Sequence, residues 1–266
     1  MELPIFQVDA FTDKPFKGNP AAVVLLDKWL PDEVMQSIAS ENNLSETAFI
    51  CLEQNGIGIR WFTPKTEVEL CGHATLASAF VVFKYLKPPV DKLTFITQKS
   101  GNLFVTKTNN NWIEMDFPSY GIKPVNAPIG LIDALGTKPL SIYEAGPDIL
   151  LIYGNEKEIR DIKPDFLNLA KINTRGVIIT APREKNMINV DFVSRFFAPR
   201  LGISEDPVTG SAHCSLTPYW TKVLNKSTVI GCQLSVRGGL LKCELKQDRV
   251  IISGQAVCVL EGNLIL

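Results

Sequence analysis

Along residues 4 to 9 and 21 to 27 the apolar positions alternate or run together as they do in strands, and Lys17-Gly18-Asn19-Pro20 between them is turn chemistry. A hairpin-like pair is expected there. Pro31 at a first-turn position, Asp32 and Glu33 behind it, and Val34, Ile38 and Ala39 at helical spacing predict a short amphipathic helix that ends at Asn42-Asn43. It delivers the chain to Leu44-Ser45-Glu46-Thr47-Ala48-Phe49-Ile50. After a strand over 57 to 62, residues 74 to 83 comprise only Ala, Leu, Thr, Ser, Phe and Val, so this segment has no polar face. A helix that is apolar all round is buried on all sides, which predicts a central helix enclosed by sheet. Strand pairs follow over 103 to 106 with 112 to 117, and over 240 to 245 with 250 to 253, joined by turns at Asn109-Asn110-Asn111 and Gln247-Asp248. A second helix is expected after Gly210, but Pro218 falls two turns on, which predicts either a kink or a later start.

The pattern occurs twice. Arg60, Phe62 and Pro64 are matched by Arg195, Phe197 and Pro199, 135 residues further on. Gly72 and Gly210 lie 138 apart, and Gly101 and Gly238 lie 137 apart. An ordered series of landmarks at a near-constant offset predicts two similar domains joined by duplication. The segment from 120 to 140, rich in Pro, Gly and Ala, holds the boundary, so the expected domains are 1–118 and 119–266, with the last few residues packing back on the first.

Composition narrows the function classes. The chain has 266 residues, 45% of them apolar and 21% charged, with a formal net charge of −1. These values describe a soluble globular protein and give no field that would attract nucleic acid. No run reaches the length of a membrane helix and the N-terminus lacks signal-sequence character, so a cytoplasmic protein is expected. The six cysteines read as reduced thiols, mostly core fillers.

Candidate chemistry gathers at the repeated glycine turns, Glu69-Leu70-Cys71-Gly72-His73-Ala74 and Glu205-Asp206-Pro207-Val208-Thr209-Gly210-Ser211-Ala212-His213. A helix that starts at such a turn presents amides without intrahelical acceptors at the positive end of its dipole, which suits carboxylate or phosphate. Both histidines of the chain lie in these motifs. Asp206 reads either as a turn residue or as a functional carboxylate, and Glu46, among apolar neighbours, either as an exposed strand cap or as a buried acid whose pKa burial would raise. A Ser211–His213–Asp206 triad lacks the nucleophile-elbow pattern. Cys71, His73, His213 and Cys214 have metal-ligand donors but no familiar spacing. Cys71 has no cysteine at the matching place in the second half, so a two-thiol racemase is excluded.

Gly18-Asn19-Pro20-Ala21-Ala22-Val23, Asn43-Leu44-Ser45-Glu46-Thr47-Ala48-Phe49, Arg60-Trp61-Phe62-Thr63-Pro64, Cys71-Gly72-His73-Ala74-Thr75 and the Glu205–His213 motif resemble the signatures of the PhzF-like phenazine-biosynthesis isomerases, above all their animal branch, the MAWD-binding proteins. The resemblance implies an α+β fold of the diaminopimelate epimerase type: two pseudo-symmetric domains, each a sheet or barrel around a central helix, with the active site in the cleft between the helix N-termini. It also implies that Glu46 is the acid/base group and that His73 and Asp206 hydrogen-bond the reacting substrate. The amides of Gly72, Gly210 and Ser211 would hold its anionic part, with Asn19 among the binding residues. The expected protein is a homodimeric isomerase of a small carboxylate metabolite that needs neither metal nor organic cofactor. The competing expectation is a non-catalytic binding or scaffold protein that retains the fold.

Overall fold

The computed structural model describes residues 1–54, 56–184 and 189–266. It divides the chain into two compact units, one made of Met1–Asp116 with Ser253–Leu266 and the other of Phe117–Ile252. The second segment of the first unit is the 14-residue stretch that begins at Ser253.

The first unit contains β1 (Glu2–Ala10), β2 (Asn19–Leu26), α1 (Asp32–Asn42), β3 (Glu46–Glu53), β4 (Gly56–Phe62), the two-residue β5 (Glu67–Val68), α2 (Gly72–Val81), β6 (Lys92–Ile96), β7 (Asn102–Lys107) and β8 (Ile113–Pro118). The chain then builds the second unit from β9 (Ile122–Pro124), α3 (Leu131–Leu135), β10 (Ser141–Ala145), β11 (Asp148–Ile152), α4 (Glu156–Asp161), α5 (Phe166–Leu169), β12 (Val177–Pro182), β13 (Phe192–Phe197), α6 (Gly210–Leu224), β14 (Thr228–Gln233), β15 (Gly239–Lys246) and β16 (Arg249–Gly254). The last strand, β17 (Ala256–Ile265), pairs antiparallel with β1 along its whole length, and this ladder holds the C-terminal segment in the first unit.

Both units use one order of pairings. In the first, β1–β2 is antiparallel, β2–β3 parallel, β3–β4 antiparallel, β4–β6 parallel and β6–β7 antiparallel. In the second, β10–β11 is antiparallel, β11–β12 parallel, β12–β13 antiparallel, β13–β14 parallel and β14–β15 antiparallel. Each parallel step is a crossover that carries helix, as parallel pairing requires. The class is α+β.

Helix α2 is enclosed as the sequence predicts: it packs on β1, β2, β3 and β17, and every residue from His73 to Ala79 is buried. Its few hydroxyls remain within the helix, Thr75 Oγ1 donating to the Cys71 carbonyl (2.6 Å) and Ser78 Oγ to that of Ala74 (2.7 Å). Outside the sheet of this unit, α1 lays Met35, Ile38 and Ala39 against Val24, Phe49 and Phe62. It ends at Asn43 in the left-handed conformation (φ 49°), where Asn is tolerated.

Helix α6 starts at Gly210 and continues past Pro218 to Leu224, so the later start is not what the chain adopts. Proline removes the amide that would have met the Cys214 carbonyl four residues back. That carbonyl instead accepts from the Tyr120 amide at 3.0 Å. The rescuing donor is almost a hundred residues away in sequence, so the local pattern could not supply it.

Candidate active site

The ends of β2, β3 and α2 bring four of the expected residues together. Asn19 opens β2, Glu46 opens β3 beside it in parallel register with Ala21, and Gly72 and His73 open α2. Glu46 Oε2 stands 3.1 Å from His73 Nε2, with the two side chains only 12% and 7% exposed. The two atoms form an ion pair at this distance, and neither has a further hydrogen-bond partner among the described residues.

The other edge of the imidazole is held from two sides. Asn19 Nδ2 lies 3.2 Å and Cys71 Sγ 3.5 Å from His73 Nδ1. With Nδ2 donating, Nδ1 accepts and Nε2–H faces the carboxylate; a half-turn of the Asn19 amide presents Oδ1 to a fully protonated ring instead. Burial works against the His73 cation, but the neighbouring Cys71 and Glu46 outweigh it and lift the imidazole well above its ordinary range. Burial, reinforced by the Glu46 charge, raises the Cys71 thiol. Glu46, Cys71 and His73 offer donor atoms within 4.8 Å of one another. His73 turns Nε2 to the carboxylate and Nδ1 to the sulfur, so a single ion would have to displace one of these contacts.

The remaining expected residues form a second set, in the second unit. Asp206 precedes α6, accepts a hydrogen bond from Thr209 Oγ1 and is fixed through its backbone, its amide to the Phe196 carbonyl (3.0 Å) and its carbonyl to Gln233 Nε2 (2.7 Å). Gly210 and Ser211 are the first two residues of α6, whose N-cap, Thr209, makes no side-chain cap. The α2 N-cap, Cys71, makes none either. Both helices therefore begin with first-turn amides that their N-cap side chains leave uncapped.

Sequence reasoning missed two features that support these helix starts. Arg60 donates from Nε and a terminal nitrogen to both oxygens of Glu67 (2.7 and 2.8 Å), and Arg195 does the same to Glu205 (2.7 and 2.9 Å). Each guanidinium also covers a phenylalanine ring, Phe62 or Phe197, at 5.2 and 4.8 Å. The signal was available, because Glu67 and Glu205 stand at the same offset as the two glycines. The second feature is Arg175, which pairs through two nitrogens with the buried Asp148 and extends one of them to Ser211 Oγ at 3.1 Å. With a donor already on its oxygen, the Ser211 hydroxyl has its own proton free to point elsewhere.

His213 is not part of either set. Its Nδ1 donates to the Thr209 carbonyl at 2.9 Å, and a side chain on Gly231 would lie 2.8 Å from Nε2. Burial holds its pKa down at about 4. It makes no hydrogen bond to Ser211 as a triad would require, and among the described residues it is not grouped with other donors that could share one ion. Its folded value lies below its unfolded one, so the stability it carries is complete above pH ~6.5 and is lost as pH falls toward 4, amounting to about 3 kcal/mol. Urea unfolding at pH 7 and pH 4 should show that loss in the parent protein and a smaller one in His213→Gln. For His73 the sign is reversed: its contribution is full below pH ~6.5 and fades as pH rises through the elevated value.

The chain matches the phenazine biosynthesis-like PhzC-PhzF family over residues 8–262. An uncharacterized isomerase of Pseudomonas aeruginosa is 48% identical over 264 residues, covering 99% of each chain. The phenazine biosynthesis-like domain-containing protein of Bos taurus is 42% identical over 288 residues, also covering 99% of each. The crystal structure of a PhzF-family protein from Enterococcus faecalis superposes with a TM-score of 0.95 at 48% identity and covers 100% of both chains. By sequence, fold and signature residues alike, the chain belongs to the phenazine biosynthesis-like PhzC-PhzF family, as an isomerase.

Proposed function

We propose that the protein isomerises a small carboxylate metabolite by moving one proton through Glu46. The Glu46 carboxylate removes a proton from a substrate carbon, and the electron pair left behind spreads into an adjoining double bond or carboxylate. The resulting carboxylic acid then returns the proton to a second carbon or to oxygen, so atoms and charge balance with one group acting in both directions. His73, favoured as a cation beside Glu46, counters the negative charge that develops. The Gly72 amide holds the substrate carboxylate and Asn19 fixes its orientation, and the family resemblance assigns substrate-binding roles in the second unit to the Gly210 and Ser211 amides and to Asp206. The reading requires neither metal nor organic cofactor.

The observation that carries it is the 3.1 Å approach of the Glu46 carboxylate to His73 Nε2, both buried and both short of partners. The pairing order shared by the two units and the matching Arg–Glu clamps support an internal duplication, with only one copy carrying the acid/base residue. A homodimer follows from the family resemblance. The test is a thermal-shift screen of small carboxylates followed by NMR of each binder in deuterated water. Deuterium should enter the substrate at a carbon position; binders that never exchange would overturn the proposal.

A further inference from the structure

A cavity of about 460 Å³ lies in the first unit, at the opposite end of α2 from Glu46. Gly72 opens the helix and the cavity wall begins at Phe80 and Lys84, about 12–18 Å further along the axis. Neither Glu46 nor His73 lines it. Its volume falls within the range of small-ligand pockets.

Its walls have an uncommon origin. Beyond Val81 the helix widens into a π-turn over Val82–Leu86, closed by the Lys87 amide on the Val82 carbonyl (3.0 Å). Single π-turns add a residue to a helix and are concentrated at functional sites. This turn carries Phe83 and Lys84 to the same cavity that Phe80 lines. Lys84 Nζ stands 5.3 Å from the Phe80 ring centre and 5.2 Å from that of Tyr85, and Lys107 Nζ stands 5.9 Å from Phe83. Neither lysine has a carboxylate partner among the described residues. The cavity thus places two ammonium groups against aromatic faces, with Asp13 the one acid among the described residues that line it and Gln255 contributing an amide.

We infer that this cavity is a second ligand site, separate from Glu46, for a small aromatic anion. The ring lies against Phe80 and Phe83, the anionic group is shared by Lys84 and Lys107, and Asp13 accepts from a donor on the ring. Two cations against one acid select negative charge, and the phenyl walls select an aromatic body over an aliphatic one.

The probe is 4-fluorobenzoate, followed by fluorine NMR line broadening with the full chain. Saturable binding is expected, weakened at least tenfold in Lys84→Met/Lys107→Met and several-fold in Phe83→Leu, and retained in Glu46→Gln. 4-Fluorobenzamide and acetate, which lack the charge and the ring respectively, should not compete. The inference is overturned if the probe does not saturate, if both the double lysine variant and Phe83→Leu bind it as the parent does, or if Glu46→Gln alone abolishes binding, which would place the probe at the proposed catalytic site. Lysine-to-glutamate changes that convert a dimer to monomers, with no binding of the probe, would assign the face to a second copy and overturn it as well.

Discussion

Replacing Glu46 with glutamine is expected to lower turnover about 10³-fold and to remove solvent-deuterium exchange, while substrate affinity stays within about twofold. The substitution is isosteric, and β3 keeps its pairing with β2 because that depends on the backbone at this position. What disappears is the capacity to take up and return a proton. Loss of the carboxylate also withdraws one of the two neighbours that lift His73, so the ring proton resonance of His73 should titrate at lower pH in the variant. Cys71 is the competing base, 3.5 Å from the same imidazole. Burial and the Glu46 charge raise its thiol, which disfavours the thiolate that a base would need, so Cys71→Ala should retain most of the activity. Full turnover by Glu46→Gln, or collapse in Cys71→Ala alone, would transfer the acid/base role to the thiol.

What could be read from the sequence follows the range of the interactions. Helix α1 with its Asn43 end, the all-apolar α2 and the two late hairpins are set by neighbouring residues, and all are present where the pattern placed them. Long-range pairing was not legible. The return of β17 to β1 joins opposite ends of the chain, and the Tyr120 amide that allows Pro218 inside α6 lies beyond any local window. Among the site residues, Glu46 had two open readings from its neighbours alone, and the resemblance favoured the acid; its approach to His73, 27 positions further on, was not legible in sequence. The two histidines shared a motif but not a place in it. His73 is the second residue of its helix and His213 the fourth, and two residues turn a side chain about 200° around the axis. One histidine therefore reaches the open helix end and the other faces Phe192 in the core. That difference was present in Gly-His against Gly-Ser-Ala-His, had helical phase been applied to it.

Gly18→Ala is expected to destabilise the first unit by more than about 3 kcal/mol and to reduce activity with it. Gly18 has φ +65°, which alone costs an L-residue roughly 1 kcal/mol or more. The larger effect is steric: a Cβ here would lie 2.1 Å from the Ala10 carbonyl oxygen and 2.8 Å from Thr12 Cγ2. Ala10 closes β1, and its register with Asn19 fixes where β2 begins, so the backbone oxygen cannot yield without shifting the strand pair. Gly101→Ala separates the two contributions, because it has a similar φ of +71° and nothing within 4 Å of the added carbon. It should lose only about 1 kcal/mol in urea unfolding. The residue after Gly18 is Asn19, whose amide meets His73 Nδ1, so displacement of the turn is carried directly to the imidazole. Asn19→Ala should reproduce the loss of activity without the full loss of stability. If Gly18→Ala unfolds no more readily than Gly101→Ala, the close approach to Ala10 does not govern the turn, and the link from the first hairpin to His73 fails with it.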